Sequence, residues 1–465
     1  MRFVGREEEM RLLEREYARE SGSFVVIYGR RRIGKTALIS EFIRGRDSVY
    51  FLAGDLPDSE NRKRFSEAVG AAIGAPGASF DSWESAFGSL IGRRGKTIVV
   101  LDEFQYLARS NPGFPSILQG IWDGAMKDSG LMLVLCGSFM GMMERYALSH
   151  SSPLYGRRTA NVKLGPLSLC DASEAFPDLC PRDLVTLYAV TGGVPRYLEL
   201  FHGEPSVREG IRRVVLERTG ALHDEPLFLL GSEAKEPTNY IAILEAIAAG
   251  NSKLGDITGR LEVGSGAVTP YLKALEDMML VRRTVPVTEN PLRSKSGLYA
   301  ICDGFTAFWF KFVFPNKRFL ELGETGEAER MLDEHLGDGF ASFAFEDICR
   351  SATFRMRERI GFPFTKVGRL WGKGAEIDVV ALDPSSRRAF AAECKYSANR
   401  VSLSVYQGLK RKCAEDARLR EYEVTYGIFS LSGFDENLVR EAERDGAVLI
   451  SMEDILEAGR GARSG

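Results

Sequence analysis

The stretch GRRRIGKT, residues 29–36, follows the apolar run FVVIY and leads into an amphipathic segment. Two glycines at that spacing, closed by Lys-Thr, admit few local structures. The chain must leave a buried strand, curl tightly and start a helix. Gly29 and Gly34 let the backbone wrap with its N–H groups turned inward, at a helix N-terminus where negative charge is favoured. Such a loop suits phosphates. Arg30, Arg31, Arg32, Ile33 and Ala37 would complete the backbone wrap, with the three arginine side chains turned toward solvent or a partner. Lys35 would reach the outer phosphates of ATP, and Thr36 would hold Mg²⁺.

The surrounding sequence supplies the scaffold that this loop requires. Apolar runs at 24–29, 48–54, 96–103, 131–138 and 161–168 alternate with amphipathic stretches, the pattern of a parallel α/β sheet. The run TIVVLDEFQYL ends in two acids at a strand's carboxyl end. Asp102 would bind the Mg²⁺ through water, and Glu103 would act as general base toward the attacking water. Ser138 closes LMLVLCGS, where a polar group can sense the terminal phosphate. Arg157 and Arg158, in PLYGRRT, would bring positive charge to the transferring phosphoryl group, in cis or from a neighbouring subunit, or else form a solvated basic turn.

The sequence divides into an ATPase core at 1–168, a helical lid at 169–230, a winged helix with aromatic connector at 231–318, a helical linker at 319–335 and a second α/β domain at 336–465. In the third part, three helical stretches (240–249, 254–261 and 265–278, the last capped by Ser265) precede strands at 280–289 and 298–302. Thr269, Tyr271 and Lys273 on the third helix face DNA in that reading, though Glu276 and Asp277 oppose it. Arg282, Arg283, Arg293 and Lys295 would meet phosphates. The aromatic run Phe305, Phe308, Trp309, Phe310, Phe312, Phe314 reads as core.

Near the far end, EIDVVALDPSSRRAFAAECKY reads as a hairpin whose turn opens at Asp383-Pro384. A symmetric hairpin centred between Ser385 and Ser386 sets Asp378 directly opposite Glu393, both on one face, with Lys395 two residues on. The flanks VVAL and AFAA are apolar, so these charges lie on a largely buried sheet and need a reason. Asp378 and Glu393 would bind Mg²⁺, aided by the Cys394 carbonyl. Lys395 would orient water or offset phosphate charge during DNA cleavage.

Composition removes other classes. A net charge of −3 gives no global basic field, so any nucleic-acid surface is local. Seven scattered cysteines without a CxxC pair, and four distant histidines, point away from disulfide scaffolds, zinc ribbons and histidine triads. The charged start, MRFVGREEEM, is unlike a signal peptide, and no apolar run reaches the roughly 20 residues a membrane helix needs. These features lead to the expectation of a cytoplasmic protein without a membrane segment.

Taken together, FVGREEEM, GRRRIGKT, VLDEFQYL, CGSFMGMM, PLYGRRT and GGVPRYL resemble the archaeal-type ATPase family of the AAA+/STAND P-loop class. The resemblance extends to a middle winged helix before an FWF-type aromatic stretch and to a C-terminal PD-(D/E)xK nuclease-like domain of the DUF234 type. It implies an ATP- and Mg²⁺-dependent ATPase, with oligomers possible. Phe3, Val4, Gly5 and Arg6 would flank the adenine on one side, and Gly193, Pro195 and Arg196 on the other. It adds Glu346 to the metal set and Gln407 as a further polar group. The chain departs from the pattern at Ser138, where mainstream members carry Asn, and at Glu376-Ile377, where Pro usually precedes the acid. The implied function is an ATPase whose nucleotide state controls DNA binding or cleavage. The alternative is a nucleotide switch with an inert C-terminal domain.

Overall fold

In a computed structural model, residues 2–93, 95–233, 236–372 and 376–464 are described. The chain forms two compact units, Gly5–Pro166 and Leu167–Gly465, the latter joined by the first four residues.

The first unit is built on five strands: β1 (Ser23–Tyr28), β2 (Ser48–Leu52), β3 (Thr97–Asp102), β4 (Leu131–Gly137) and β5 (Ala160–Lys163). All neighbours are parallel, in the order β2-β3-β4-β1-β5. β3 and β4 are buried at every position, which explains their unbroken apolar sequence. Phe24, Phe65, Trp83, Phe87, Phe104 and Phe114 fill the layer beside them. Because β4 lies between β1 and β3, the residue after β4 is placed between the phosphate loop and the Asp102-Glu103 pair.

The second unit begins with helices Leu169–Ala175, Pro181–Thr191 and Pro195–Phe201. Ser168 and Asp171 form a capping box on the first. Gly192 and Gly193, both at positive φ, end the second, and a Cβ on Gly193 would come within 2.4 Å of the Leu167 carbonyl oxygen. Further on, helices Pro237–Ala248, Leu254–Leu261 and Ser265–Asp277 precede the antiparallel pair β6 (Val281–Thr284) and β7 (Leu298–Ile301). Ser265 does not cap its helix; Gly264 takes that position without a side-chain bond, so Ser265 is the first helical residue. Strand β6 stops at Thr284, short of the expected 289, because the chain turns away at Pro286. Val287 then donates its N–H to the Arg369 carbonyl at 3.0 Å and is buried in the C-terminal core. The aromatic run is core as expected: Phe305, Phe308, Trp309, Phe310 and Phe312 are buried, and Trp309 Nε1 donates to the His223 carbonyl at 2.6 Å.

The C-terminal sheet comprises β8 (Lys366–Leu370), β9 (Ile377–Asp383), β10 (Arg388–Lys395), β11 (Glu423–Ser430) and β12 (Val448–Ser451), in the order β12-β11-β10-β9-β8. β8, β9 and β10 run antiparallel, while β10, β11 and β12 run parallel. The β9–β10 ladder pairs Asp383 with Arg388 through to Val379 with Ala392. That register is the one expected from the turn; the ladder ends at Val379–Ala392, one step short of Asp378 and Glu393, and there the Asp378 side chain takes up the Cys394 N–H. Asp383 fixes the turn by accepting from the Ser385 N–H at 3.0 Å and the Ser386 hydroxyl at 2.6 Å.

Candidate nucleotide site and C-terminal acid cluster

Strand β1 delivers the chain to Gly29, and Gly34, at φ 88°, turns it into helix Lys35–Ile43. A Cβ on Gly29 would lie 2.5 Å from the Leu164 carbonyl oxygen, so only glycine fits there. Lys35 is buried, with its ammonium donating to the Gly29 and Arg30 carbonyls at 2.9 Å each. Burial lowers its pKa, against the pull of nearby acids including Glu103 and Asp102. A cation poised inside the curl of the loop fits a group that brings phosphate charge.

Across from it, Asp102 gathers donors. Its carboxylate accepts from Thr36 Oγ1 at 3.2 Å, Tyr50 Oη at 2.6 Å and the Glu103 N–H at 2.9 Å. Burial, and then Asp102 itself, push the Tyr50 phenol up, which keeps it protonated and donating. The Thr36 hydroxyl and Asp102 carboxylate together offer hard oxygen donors of the kind Mg²⁺ takes. Glu103 is left-handed at φ 54°, at the head of helix Phe104–Ser110. That turn sends its carboxylate toward Ser138, whose Oγ donates to Glu103 Oε2 at 2.7 Å. Gln105, fully buried, donates its amide to the same Glu103 oxygen and to Ser138 Oγ, the latter at 3.4 Å. Sequence reading missed Gln105; the DEFQ spacing was the available signal.

Arg6, at φ 75° and buried, donates to the Ile33 carbonyl at 3.1 Å and the Gly165 carbonyl at 2.7 Å. Its guanidinium therefore braces the phosphate loop. Gly5 is also left-handed, at φ 67°, while Phe3 and Val4 are half-buried. Arg31 stacks over the Phe139 ring at 4.7 Å; Arg32 is exposed and takes φ 65°. Ile33 is buried and Ala37 exposed. Arg157 forms a two-pronged ion pair with Asp123, its Nη2 at 2.7 Å and Nε at 3.0 Å. Arg158 donates to Asn161 at 3.1 Å and to the Leu148 carbonyl at 3.2 Å. Neither arginine bonds a residue of the phosphate loop. Pro195, in the other unit, is the first residue of its helix, and the neighbouring Arg196 pairs with Glu199 at 2.6 Å.

In the C-terminal domain, Asp378 Oδ2 accepts the Cys394 N–H at 2.9 Å. Cys394 thus offers the cluster a donor as well as the expected carbonyl. Glu393 is buried and is clamped by two ammonium groups, Lys395 at 3.2 Å and Lys412 at 2.7 Å. Glu346, from helix Ser342–Thr353, bonds Arg350 at 3.3 Å and lies 3.9 Å from Arg369. Burial raises the Glu346 carboxyl and Asp378 raises it further; burial and then Glu393 raise Asp378. The acids therefore sense one another as a single cluster. Among the described residues, however, no three His, Cys, Asp or Glu side chains are close enough to hold a metal by themselves. Glu393 is paired with two lysines and Glu346 with two arginines. Gln407 is exposed, and the group that its helix sends to the cluster is Lys412.

On the helix Ser265–Asp277, Lys273 pairs with Asp277 at 2.8 Å, Tyr271 donates to Glu236 at 2.8 Å, and the Thr269 hydroxyl donates back to the Ser265 carbonyl at 2.8 Å. Arg283 donates to the Pro291 and Ser294 carbonyls at 3.0 and 2.7 Å, and Arg282 is bound to Asp347. Two of the four cations expected to meet phosphate are thus engaged within the chain, while Arg293 is exposed and Lys295 lies in the same exposed segment.

The fold and the loop define a P-loop ATPase. A family model for an ATPase domain found predominantly in archaea matches residues 3–201, and a model for archaeal and bacterial proteins of unknown function matches residues 309–407. An uncharacterized protein of Methanocaldococcus jannaschii is 33% identical over 459 residues, covering 97% of this chain and 100% of the relative. The chain belongs to this archaeal-type ATPase family. An uncharacterized ATP-binding protein of the same organism is 43% identical over 44 residues, 10% of this chain and 75% of that protein. Among solved structures, a Walker-type ATPase of Pyrococcus abyssi aligns with a TM-score of 0.51 at 21% identity, covering 66% of this chain and 96% of that one, a likeness of fold. No helix among the described residues is long and apolar enough to cross a membrane.

Proposed function

We propose that the protein binds and hydrolyses ATP at Gly29–Ala37 and that its nucleotide state controls DNA binding or Mg²⁺-dependent DNA cleavage by the C-terminal domain. The observation that carries this reading is the sharing of one sheet face by Asp378, Glu393 and Lys395, beside Glu346, in a chain that also holds a P-loop site.

At the nucleotide site, Lys35 would leave its loop carbonyls for phosphate oxygens, and Glu103 would accept a proton from water while Ser138 and Gln105 orient it. Mg²⁺, held by Thr36 and Asp102, would supply charge neutralisation at the phosphates. Arg157 and Arg158 would serve in trans if subunits assemble, on leaving the partners that each has within its own chain. In the C-terminal domain, Asp378 and Glu393 would take a metal once Lys395 and Lys412 turn to the DNA phosphates. Helix Ser265–Asp277, Arg293 and Lys295 would give the winged helix its nucleic-acid contacts. All seven cysteines are free thiols, which suits a reducing cytoplasm.

The test is a cleavage and turnover assay on wild type, Asp378→Ala and Glu103→Gln, with linear, circular and single-stranded DNA, Mg²⁺ or Mn²⁺, and with or without ATP. Cleavage by wild type, lost in Asp378→Ala and altered in Glu103→Gln, supports the reading. A second reading is favoured by the clamp of two lysines on Glu393: a nucleotide switch whose C-terminal domain binds without cutting. It gains if no protein cuts under any condition while ATP is still turned over.

A further inference from the structure

Asp347 stands at the centre of a chain of charges that joins two parts of the second unit. Arg282, on β6, places Nη2 at 2.6 and 2.5 Å from its two carboxylate oxygens. Arg350, one helical turn on from Asp347, places its own Nη2 at 2.5 Å from Oδ1. The other arm of Arg350, Nη1, reaches the Glu346 carboxylate at 3.3 Å and the Asp378 carbonyl at 2.9 Å. Arg350 is 15% exposed, whereas Arg282 is 44% exposed and within reach of solvent. Burial opposes ionisation of Asp347, but Arg282 and Arg350 outweigh it and hold its carboxyl below the usual range. The β6 connection is also fastened to the sheet by the Val287–Arg369 backbone bond, so β6 does not float free of the cluster.

We propose that Arg350 is a positioning residue for Glu346 and Asp378, and that Arg282 sets its hold on them through Asp347. Deepening the function proposed above, this device rests on the reading of the acid cluster as a metal site. While Arg282 is on Asp347, that carboxylate is shared between two guanidiniums, and Arg350 spends one arm neutralising Glu346. When Arg282 moves to an anionic partner, Asp347 is left with Arg350 alone and draws it away from Glu346. The acids then carry more uncompensated charge and take a divalent cation more readily. The partner that fits an exposed arginine next to a three-helix unit is the phosphate backbone of a nucleic acid. DNA engagement at β6 would thereby arm the cluster.

Coupling of this kind is established only by a cycle. The full-length protein would be prepared as wild type, Arg282→Gln, Asp347→Asn, Arg350→Gln, the pairwise combinations and the triple variant, with Arg282→Lys, which keeps the charge but loses the two-pronged geometry, as the milder variant. Free Mn²⁺ would be followed by electron paramagnetic resonance in nucleotide-free protein, with Asp378→Asn defining binding at the cluster. Arg282→Gln should tighten Mn²⁺ at the cluster by about threefold or more, and the effect should vanish in an Asp347→Asn background. Melting temperatures should be non-additive for Arg282→Gln with Arg350→Gln, and additive once Asp347 is Asn. Additive melting shifts with Asp347 present, or Mn²⁺ binding unchanged or weakened in Arg282→Gln, overturn the proposal. If wild type and Asp378→Asn bind Mn²⁺ alike, the metal reading itself has failed, and the melting cycle still decides whether Arg282 and Arg350 act through Asp347.

Discussion

The Ser138 hydroxyl donates to Glu103 Oε2 at 2.7 Å, tying the end of β4 to the acid that follows β3. Gln105 donates to the same oxygen and also to the Ser138 hydroxyl. A general base works only from a fixed position and with its proton-accepting lone pairs correctly aimed. Ser138→Ala should therefore lower kcat for ATP by about 10- to 100-fold with little change in ATP affinity. Glu103→Gln should abolish turnover while binding persists. Steady-state hydrolysis and equilibrium binding of labelled ATP separate the two effects; equal losses in kcat and affinity for Ser138→Ala would contradict a positioning role.

Gly29 offers a steric test of the loop. Its φ is not in the left-handed region, so the cost of a side chain is contact alone. An added Cβ would lie 2.5 Å from the Leu164 carbonyl oxygen and 3.3 Å from Ile33 Cγ2. Backbone atoms cannot give way as a flexible side chain would, so the loop must shift. Gly29→Ala should cost about 1–3 kcal/mol and remove the stabilisation that ATP with Mg²⁺ gives in a thermal melt. A variant as stable as wild type, still stabilised by ATP, would show that the loop can move away from the Leu164 carbonyl at no cost.

The phosphate loop was legible because strand, glycines, lysine and helix are contiguous, so local rules suffice. The β9–β10 register was legible for a similar reason: Asp383-Pro384-Ser385-Ser386 fixes the turn, and a fixed turn fixes every pair below it. What the sequence hid came from elements that meet only in the fold. Lys412 lies five residues beyond Gln407 on helix Leu403–Glu415, which is roughly 140° further round the helix. The residue of that helix that bonds Glu393 is thus not the one the motif match named. Arg157 and Arg282 look like free cations in sequence, yet Asp123 and Asp347, from distant segments, take them up. Ser265 had the chemistry of a cap but lies one residue inside its helix, beyond the resolution of residue preference alone.

Asp378 and Glu346 make stability depend on pH. Burial comes first and neighbouring acids second, and both raise these carboxyls above their ordinary range. A raised folded-state pKa means that the fold binds the proton more tightly than the unfolded chain does. Their favourable contribution is thus full at pH below the unfolded value and is lost as pH rises through the folded one. At neutral pH the charges are a cost. Asp378→Asn keeps an acceptor for the Cys394 N–H but removes the charge, so it should stabilise the second unit near pH 7 by about 1 kcal/mol. The gain should shrink toward zero as pH falls to roughly 4. Chemical denaturation across that range measures it, and a variant less stable than wild type at neutral pH would show that Asp378 is held by stronger attractions than burial opposes.

Lys412 discriminates between a metal site and a scaffold. Its ammonium lies 2.7 Å from Glu393, whose side chain is only 6% exposed, and Lys395 is the other partner at 3.2 Å. Lys412→Met keeps the aliphatic packing and removes one charge, leaving a buried carboxylate with half its compensation. Because Lys412 is itself 40% exposed, solvent screens the pair and the loss should be about 1 kcal/mol. A cation that binds at Glu393 and Asp378 would replace what was removed. Millimolar Mn²⁺ should therefore raise the melting temperature of Lys412→Met by more than it raises that of wild type, and the excess should disappear when Asp378→Asn is added. Equal responses to Mn²⁺ in Lys412→Met and wild type would mean that the lysines are permanent structural partners of Glu393, and the C-terminal sheet would then act by binding rather than by cleavage.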